Sequence, residues 1–452
     1  MPTTSSTSHP HLPVVDDARG RIPSLDARIA AAARAVAGSL SPTAGRDAPA
    51  AAARPAAPHG LAGALVGYLV VVMLVVTLAP FEFRVPAAPR ILLDEWTVLD
   101  VVANVLLFVP FGFFCAQLGP APRADAGRAP EAVPEAVPEA VMHAILFALL
   151  ASASIELAQL FAPERYTSPW DVLSNVAGAG LGALGWAWVQ RRLDPSRVVG
   201  QLGLELPLMG LVYLLVPLGW LDALVLAGDP ARWPLPLCLG LFGGSVLGSV
   251  QRRHFGPAGV LSARGMAALA AAWCVLCMLS ALVAQPLVVA VAALGVGAFA
   301  WHRAAEPAPE PGPAVERRFE FMTLLRAAPF FAAYLLLLAL TGPVEEAELR
   351  RPLILRMLET LGAFTLLGFM TAEAFSRFEL SYRKTVLIVL AVAAPLALAL
   401  GLARGVGTLD AATWWGMAVA LAAATYGGWL FHVQRAHVRT LARAGRDARA
   451  AA

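Results

Sequence analysis

The chain has 452 residues, of which 58% are hydrophobic and only 14% are charged, and its formal net charge is +3. Soluble globular domains carry about 25% charged residues, so this composition excludes an ordinary soluble protein and predicts a polytopic membrane protein. The small net charge gives no indication of binding to nucleic acid.

The chain begins with a polar segment and continues with a series of apolar runs. Residues 1–60 are rich in Ala, Pro, Ser and Arg and contain no hydrophobic run of the kind found in a secretory signal, which predicts a disordered cytoplasmic tail. Because about 20 apolar residues cross a bilayer as a helix, the remainder predicts about twelve spans. The spans are 61–80, 99–118, 141–161, 171–190, 203–226, 235–250, 266–284, 286–301, 327–341, 353–375, 386–402 and 412–432. The eighth and ninth are short, which indicates either half-spans or misplaced boundaries.

Basic residues in the loops predict the orientation. With the N-terminus inside, "RRLDPSR" (191–197), "QRRH" (251–254) and "SRFELSYRK" (376–384) all fall on the cytoplasmic side, where Lys and Arg are enriched. The expected fold is therefore an all-α transmembrane bundle with both termini cytoplasmic, ending in a basic tail at 433–452.

One cytoplasmic loop, at 119–140, is acidic and leads into a repeat. Pro-Glu-Ala-Val occurs three times in succession over 130–141. Proline at every fourth position disfavours a helix, so the repeat predicts an extended low-complexity linker, with a docking peptide as the alternative.

The cysteines give no sign of a disulfide framework. All of them lie in apolar runs, which predicts buried thiols. They are Cys115, Cys238, Cys274 and Cys277.

Polar side chains interrupt the second, third and fourth spans, all within roughly 10 Å of the ends predicted to face outward. We call these side chains, with one loop arginine, the polar cluster. Its members are Asp100 and Asn104, Glu156 and Gln159, Asp171 and Asn175, and Arg165. Residues three or four apart share a helix face, so each helix can point its pair in one direction. Because an ionised group in hydrocarbon costs about 2.5–3.5 kcal/mol, we expect the three pairs to meet around a polar site, with Arg165 as the cationic partner.

Two structural interpretations of the polar cluster stay open beside the functional one. Asp100 and Asp171 each begin an apolar helix, where an acidic residue suits the N-terminus. The amides can instead form interhelical hydrogen bonds that only stabilise the bundle. In the fourth span, Gly178 and Gly182 are four residues apart, a spacing that predicts close helix packing.

Four segments in this region resemble the VanZ-like family, and the resemblance covers about 61–190. They are "TLAPFEF" (77–83), "LDVVANVLLFVPFGF" (99–113), "IELAQLF" (155–161) and "RYTSPWDVLSNVAGAGLG" (165–182). The matching positions are Asp100, Asn104, Phe108, Pro110, Gly112, Glu156, Gln159, Arg165, Asp171, Asn175, Gly178 and Gly182. Many relatives carry an acid where this chain has Ser168, which weakens the case for a carboxylate metal site.

The resemblance implies a multi-pass protein of the bacterial inner membrane with a role in the cell envelope or in glycopeptide-antibiotic response, and it implies no particular enzyme class. We expect an outward-facing pocket that binds or processes a lipid-linked glycan or a phospholipid headgroup. A transporter or lipid flippase and a membrane scaffold are the alternatives. The sequence predicts no metal, no cofactor and no nucleic-acid partner, only the lipid bilayer around it.

The rest of the chain, 191–432, is predicted to be further transmembrane helices of unknown role. The segment "LETLGAFTLLGF" (358–369) loosely resembles "LDVVANVLLFVPFGF" (99–113), but the asparagine and proline positions differ. By sequence alone this similarity does not support a repeat.

Overall fold

The structure is a computed structural model, and it is all-helical over the residues it describes. Those residues are 60–78, 81–85, 91, 97–118, 133–163, 165–192, 230–254, 262–306, 313–340, 351–376, 380–404 and 411–451. In chain order the helices are α1 Gly60–Leu78, α2 Val98–Leu118, α3 Val133–Gln159, α4 Pro169–Arg192, α5 Pro234–His254, α6 Ala263–Cys277, α7 Leu279–Ala284, α8 Pro286–Ala305, α9 Pro313–Leu340, α10 Arg351–Phe375, α11 Tyr382–Arg404 and α12 Ala411–Ala451. A short 3-10 turn, Pro230–Arg232, precedes α5.

Seven of the described helices are long and apolar enough to cross a membrane, namely α1, α2, α3, α8, α9, α11 and α12. They make this a multi-pass membrane protein. Ten of the predicted spans each coincide with one helix, and 266–284 is divided at Met278 into α6 and α7. The span 203–226 lies outside the described residues, as does the predicted tail before Gly60. The eighth and ninth predicted spans are not half-spans, since α8 has 20 residues and α9 has 28.

The prediction of an extended linker is wrong from Val133 onward. Helix α3 begins at Val133, so nine of the twelve residues of the Pro-Glu-Ala-Val repeat at 130–141 are helical, and Pro138 lies inside the helix. Pro134 falls in the first turn, where a missing N–H removes no helical hydrogen bond. Helix α3 has 27 residues and tolerates the single hydrogen bond lost at Pro138, because each further helical residue adds one bond. At the other end of the chain, the predicted basic tail continues α12 as helix up to Ala451.

The helices form three groups along the chain. The N-terminal unit is α1–α4, the middle group is α5, α6 and α8, and the C-terminal unit is α9–α12, of which α9 packs chiefly on α5 and more lightly on α10 and α11. Within the N-terminal unit α2 packs along α4, and α3 lies against both of them. Helix α1 also packs on the C-terminal unit, where the Tyr426 hydroxyl donates to the Ala64 carbonyl oxygen at 2.6 Å and the Tyr68 and Tyr426 rings stack 6.1 Å apart.

The core is apolar and includes three of the cysteines. Cys115, Cys274 and Cys277 are buried, and Cys238 is partly buried. Free cysteine packs as a small hydrophobic side chain, so these thiols contribute to the apolar interior.

Glycines let α2 and α4 pack backbone against backbone. A Cβ atom at any of three glycine positions would collide with main-chain atoms of the facing helix. The colliding pairs are Gly178 with Val105, Gly182 with Val109 and Gly112 with Ala179. Small residues at spacings of three or four allow this approach in membrane helices. The contact determines which faces of α2 and α4 meet, and so where their polar side chains lie.

Candidate functional site

The structure brings the polar cluster together at one end of the N-terminal unit. The C-termini of α1 and α3 and the N-termini of α2 and α4 meet there, and hydrogen bonds link all four helices or the loops beside them. The cluster residues therefore lie together and tie the four helices to one another, mostly through bonds to backbone groups.

A direct side-chain bond joins α2 to α4. Asn104 Nδ2 donates to Asp171 Oδ1 at 2.8 Å, and both side chains are partly buried. The Asp171 carboxylate lies near the Glu156 carboxylate on one side and the Asp100 carboxylate on the other. The arrangement concentrates negative charge, which Asn104 partly offsets by donating to one of the carboxylate oxygens.

Glu156 of α3 holds the start of α4. The Ser168 backbone N–H donates to Glu156 Oε2 at 3.0 Å, and the Thr167 hydroxyl donates to the Glu156 carbonyl oxygen at 3.1 Å. The first N–H groups of a helix lack partners within the helix, and a carboxylate at that end is favourable. Glu156 thus caps α4 from a different helix, and both it and Ser168 are buried.

The amides of the cluster are bonded on one side only. Gln159 Nε2 donates to the Thr77 carbonyl oxygen at 3.1 Å, and Asn175 Nδ2 donates to Ser152 Oγ at 2.9 Å. The two amide oxygens, Gln159 Oε1 and Asn175 Oδ1, are buried and have no hydrogen-bond partner among the described residues. Because Thr77 offers only an acceptor, Gln159 must present its nitrogen there, which makes its oxygen the unsatisfied atom.

Asp100 and Arg165 lie at the edge of the group. Asp100 is exposed and accepts from the Thr97 hydroxyl at 2.6 Å and the Thr97 N–H at 3.2 Å, an arrangement that caps α2. The guanidinium of Arg165 donates from Nη2 to the Val76 carbonyl oxygen at 3.2 Å, at the end of α1. Asp100 therefore serves its own helix, while Arg165 ties the loop after α3 to the C-terminus of α1.

Sequence reasoning missed two partners in this group. Ser152 receives the Asn175 amide and is fully buried, and Ser168 supplies the N–H that Glu156 caps. A signal for Ser152 was present, because it lies four residues before Glu156 and seven before Gln159, on one face of α3. A backbone donor such as that of Ser168 leaves no signal in residue type.

The loops beside the cluster are joined to each other. The Arg84 N–H donates to the Phe161 carbonyl oxygen at 2.7 Å, and Ile91 pairs with Thr167 in an isolated parallel bridge. Phe81, just after α1, has a φ of 63°, a left-handed conformation that costs an ordinary residue roughly 1–2 kcal/mol. The loop therefore stores strain directly beside the cluster.

The interhelical bond between Asn104 and Asp171 can be measured with a double-mutant cycle. We expect Asn104→Ala and Asp171→Ala to lose less stability together than the sum of the single losses. The coupling should be about 0.5–1.7 kcal/mol, as for interhelical hydrogen bonds in other membrane bundles. Thermal unfolding of the purified variants gives the four values, and strictly additive losses would show that the bond contributes no stability.

The described residues contain no group of three or more His, Cys, Asp and Glu side chains placed to hold a metal ion. The side chains of the cluster offer carboxylate and amide acceptors and, in Arg165, a guanidinium donor.

Comparison with known proteins assigns this part of the chain to a family. Residues 65–190, which span α1–α4 and the polar cluster, match the family model VanZ/LLP1. The protein therefore contains a VanZ-like domain within a multi-pass membrane protein. No curated protein and no solved structure matches the chain.

Proposed function

We propose that the polar cluster of the VanZ-like domain binds the headgroup of a lipid or lipid-linked glycan at the outer side of a bacterial inner membrane. The headgroup approaches from the bilayer, and its hydrogen-bond donors meet the acceptors at the end of α1–α4. Binding by itself is the function proposed, with no covalent step.

The observation that carries the proposal is the pair of unsatisfied amide oxygens. Gln159 Oε1 and Asn175 Oδ1 are buried without a hydrogen-bond partner among the described residues, and leaving such a group unpaired costs about 1–3 kcal/mol. A ligand that supplies N–H or O–H donors removes that cost. Buried polar groups that lack a partner in a membrane protein are expected to be functional for the same reason.

The charge of the cluster narrows the class of ligand. Three carboxylates, from Asp100, Glu156 and Asp171, lie near one another, so a group rich in hydroxyl, amide or ammonium donors fits better than a phosphate. The Arg165 guanidinium can meet one anionic group at the edge through its planar fork. A sugar or an ethanolamine headgroup has this combination of donors.

A membrane scaffold is the second candidate, and the capping of α4 by Glu156 favours it. That contact and the Asn104–Asp171 bond both join helices and stabilise the bundle without any ligand. A transporter is less favoured, since such proteins bind substrate near the bilayer midplane whereas the cluster lies at the helix ends.

Native mass spectrometry of the purified protein, delipidated and then offered defined lipids, tests the proposal. The three lipids are a polyprenyl-diphosphate-linked disaccharide, phosphatidylethanolamine and phosphatidylcholine, of which the last has no headgroup donor. We expect retention of one or both donor-bearing lipids and none of phosphatidylcholine. We also expect Asp171→Asn and Gln159→Leu to reduce that retention.

Ser154→Ala is the matched control, because Ser154 lies on α3 beside Glu156 but is exposed and bonds only to the Leu150 carbonyl oxygen of its own helix. It should bind lipid like the unaltered protein. Equal retention of all three lipids, or unchanged retention in both cluster variants at normal stability, would leave the scaffold as the better description.

A further inference from the structure

The C-terminal unit repeats the helix packing of the VanZ-like domain. In both units the second helix packs along the fourth, the third helix lies against both, and the first contacts the second and third. The helices correspond in order, so that α10, α11 and α12 take the places of α2, α3 and α4. The first helices agree less closely, because α9 packs chiefly on α5 of the middle group and only lightly on α10 and α11. This shared pattern would mean little alone, since four-helix groups are common, but individual contacts also coincide.

The glycine contacts between the second and fourth helices are the same in both units. A Cβ at Gly112 would collide with the Ala179 backbone, and a Cβ at Gly368 would collide with the Ala424 backbone. The second contact involves Gly182 with Val109 and Phe113 in one unit, and Gly427 with Thr365 and Phe369 in the other. The intervals between these positions are identical on each helix, so both pairs of helices meet in one register.

An aromatic contact occupies equivalent positions in the two units. Phe113 and Trp186 meet edge to face with ring centroids 5.4 Å apart, and Phe369 and Phe431 do so at 5.5 Å. Phe113 directly follows Gly112, and Phe369 directly follows Gly368. Their partners Trp186 and Phe431 lie four residues after Gly182 and Gly427. A contact of side chains thus agrees with the register that the backbone contacts define.

The third helices bury the same face. Among the side chains that the structure describes, α3 and α11 each bury six. Five of the six lie at equivalent positions when the two helices are aligned. In α3 they are Ala144, Ala148, Ser152, Glu156 and Gln159, and in α11 they are Thr385, Val389, Ala393, Ala397 and Leu400. The spacing of the two sets is identical.

The fourth helices also expose equivalent residues. Trp170 and Trp415 are both exposed, at 44% and 73%, and each follows a buried hydroxyl residue by two positions, Ser168 and Thr413. Thr413 lies against Gly401 near the end of α11, as Ser168 lies against the end of α3. The ends of the two units are thus built alike.

We propose that α9–α12 are a second copy of the VanZ-like four-helix unit, in which five residues of the polar cluster and their partner Ser152 have been replaced by small and apolar residues. At the same intervals Asp100 corresponds to Arg356 and Arg165 to Asp410, so these two positions stay charged. The replaced positions are Asn104 by Thr360, Ser152 by Ala393, Glu156 by Ala397, Gln159 by Leu400, Asp171 by Gly416 and Asn175 by Ala420. The chain then carries two units and one site, and the second unit serves as the surface on which α1 packs. The Tyr426 hydroxyl bond to Ala64 and the stacking on Tyr68 make that contact.

Cysteine cross-linking in the full-length chain tests the shared register. In a variant whose four native cysteines are replaced by alanine, Asn104→Cys with Asp171→Cys should cross-link with a short bifunctional thiol reagent. The proposal expects Thr360→Cys with Gly416→Cys to cross-link equally well. The readout is a denaturing gel after cleavage of the loop before α12, on which the cross-linked chain keeps its two fragments together. The matched negative pairs are Asn104→Cys with Leu173→Cys and Thr360→Cys with Ala418→Cys, since Leu173 and Ala418 are exposed at equivalent positions.

A second variant protects the test against misfolding of the cysteine pairs. Placing the site residues into the second unit, by Thr360→Asn with Gly416→Asp, should restore the interhelical hydrogen bond of the first unit. The space around Gly416 is open, so the new side chain fits. Thr360→Asn alone should lower the melting temperature, and adding Gly416→Asp should recover part of that loss.

The outcomes separate cleanly. Cross-linking of the Asn104 pair without the Thr360 pair, or equal cross-linking of the Thr360–Ala418 control, would overturn the proposal, as would additive effects of the two transplanted residues. None of these measurements involves a ligand, so they stand whether or not the polar cluster binds lipid.

Discussion

Gly182→Ala is expected to unfold the N-terminal unit, whereas Gly185→Ala three residues later is tolerated. A Cβ at Gly182 would collide with the Val109 carbonyl oxygen and lie 2.7 Å from the Phe113 nitrogen, and both are main-chain atoms of α2. Neither atom can move without shifting the helix, since two more glycine contacts lie on the same line. We expect a loss of about 3 kcal/mol, at the upper end of the usual cost of overpacking.

The measurement is thermal unfolding of the two variants in one detergent, with the folded fraction read by size-exclusion chromatography. At Gly185 the nearest atom is the Phe113 ring at 3.9 Å, an ordinary contact, and alanine favours a helix over glycine by about 1 kcal/mol. Gly185→Ala should therefore be neutral or stabilising. A melting temperature for Gly182→Ala equal to that of Gly185→Ala would mean that α2 and α4 are not in backbone contact.

Glu156 gives the second large effect, and two substitutions separate its two roles. Glu156→Ala removes the acceptor of the Ser168 N–H and leaves a buried donor unpaired, so we expect a loss of about 1–3 kcal/mol. Glu156→Gln keeps an amide oxygen at that position and should retain most of the stability. It removes one of the mutually repelling charges beside Asp171.

Melting temperature and lipid retention, measured together, distinguish binding from scaffolding. If the cluster binds a donor-bearing headgroup, Glu156→Gln reduces lipid retention while the melting temperature stays near normal. If the cluster only holds the helices, Glu156→Gln behaves like the unaltered protein and Glu156→Ala loses stability alone. A loss of stability in Glu156→Gln as large as in Glu156→Ala would contradict the capping role itself.

The helices and the depth of the polar residues were predictable because both depend on local pattern. Runs of apolar residues mark the spans, and a rise of 1.5 Å per residue places Asn104, Glu156 and Asp171 near the helix ends. The start of α3 was not predictable in this way. There the prolines argue against a helix, but the long apolar run after Pro138 extends α3 back through part of the repeat.

The partners of the polar residues could not be read from the sequence. Arg165 was expected beside the carboxylates, and the structure adds a partner that the sequence did not indicate, the Val76 carbonyl oxygen. Glu156 was expected to serve a ligand, and it caps a neighbouring helix through a backbone N–H. Backbone groups are identical at every residue, so side-chain identity cannot indicate which of them an arginine or a glutamate will meet.

The second unit shows the same contrast between what the sequence indicates and what only the structure reveals. Few residue identities survive between α1–α4 and α9–α12, since apolar side chains substitute for one another in a membrane with little cost. None of the polar residues of the first unit is kept at its equivalent position in the second. What survives is the position of each backbone contact and buried face, which depends on the close approach of two helices far apart in the chain. The sequence by itself determined which segments are helices and how far from its helix end each polar side chain lies, because periodicity and length are local properties. Only the tertiary structure decided which of those side chains meet and that the two halves share one packing, because the rotation and separation of helices are set by contacts between distant residues such as Gly112 with Ala179 and Gly368 with Ala424.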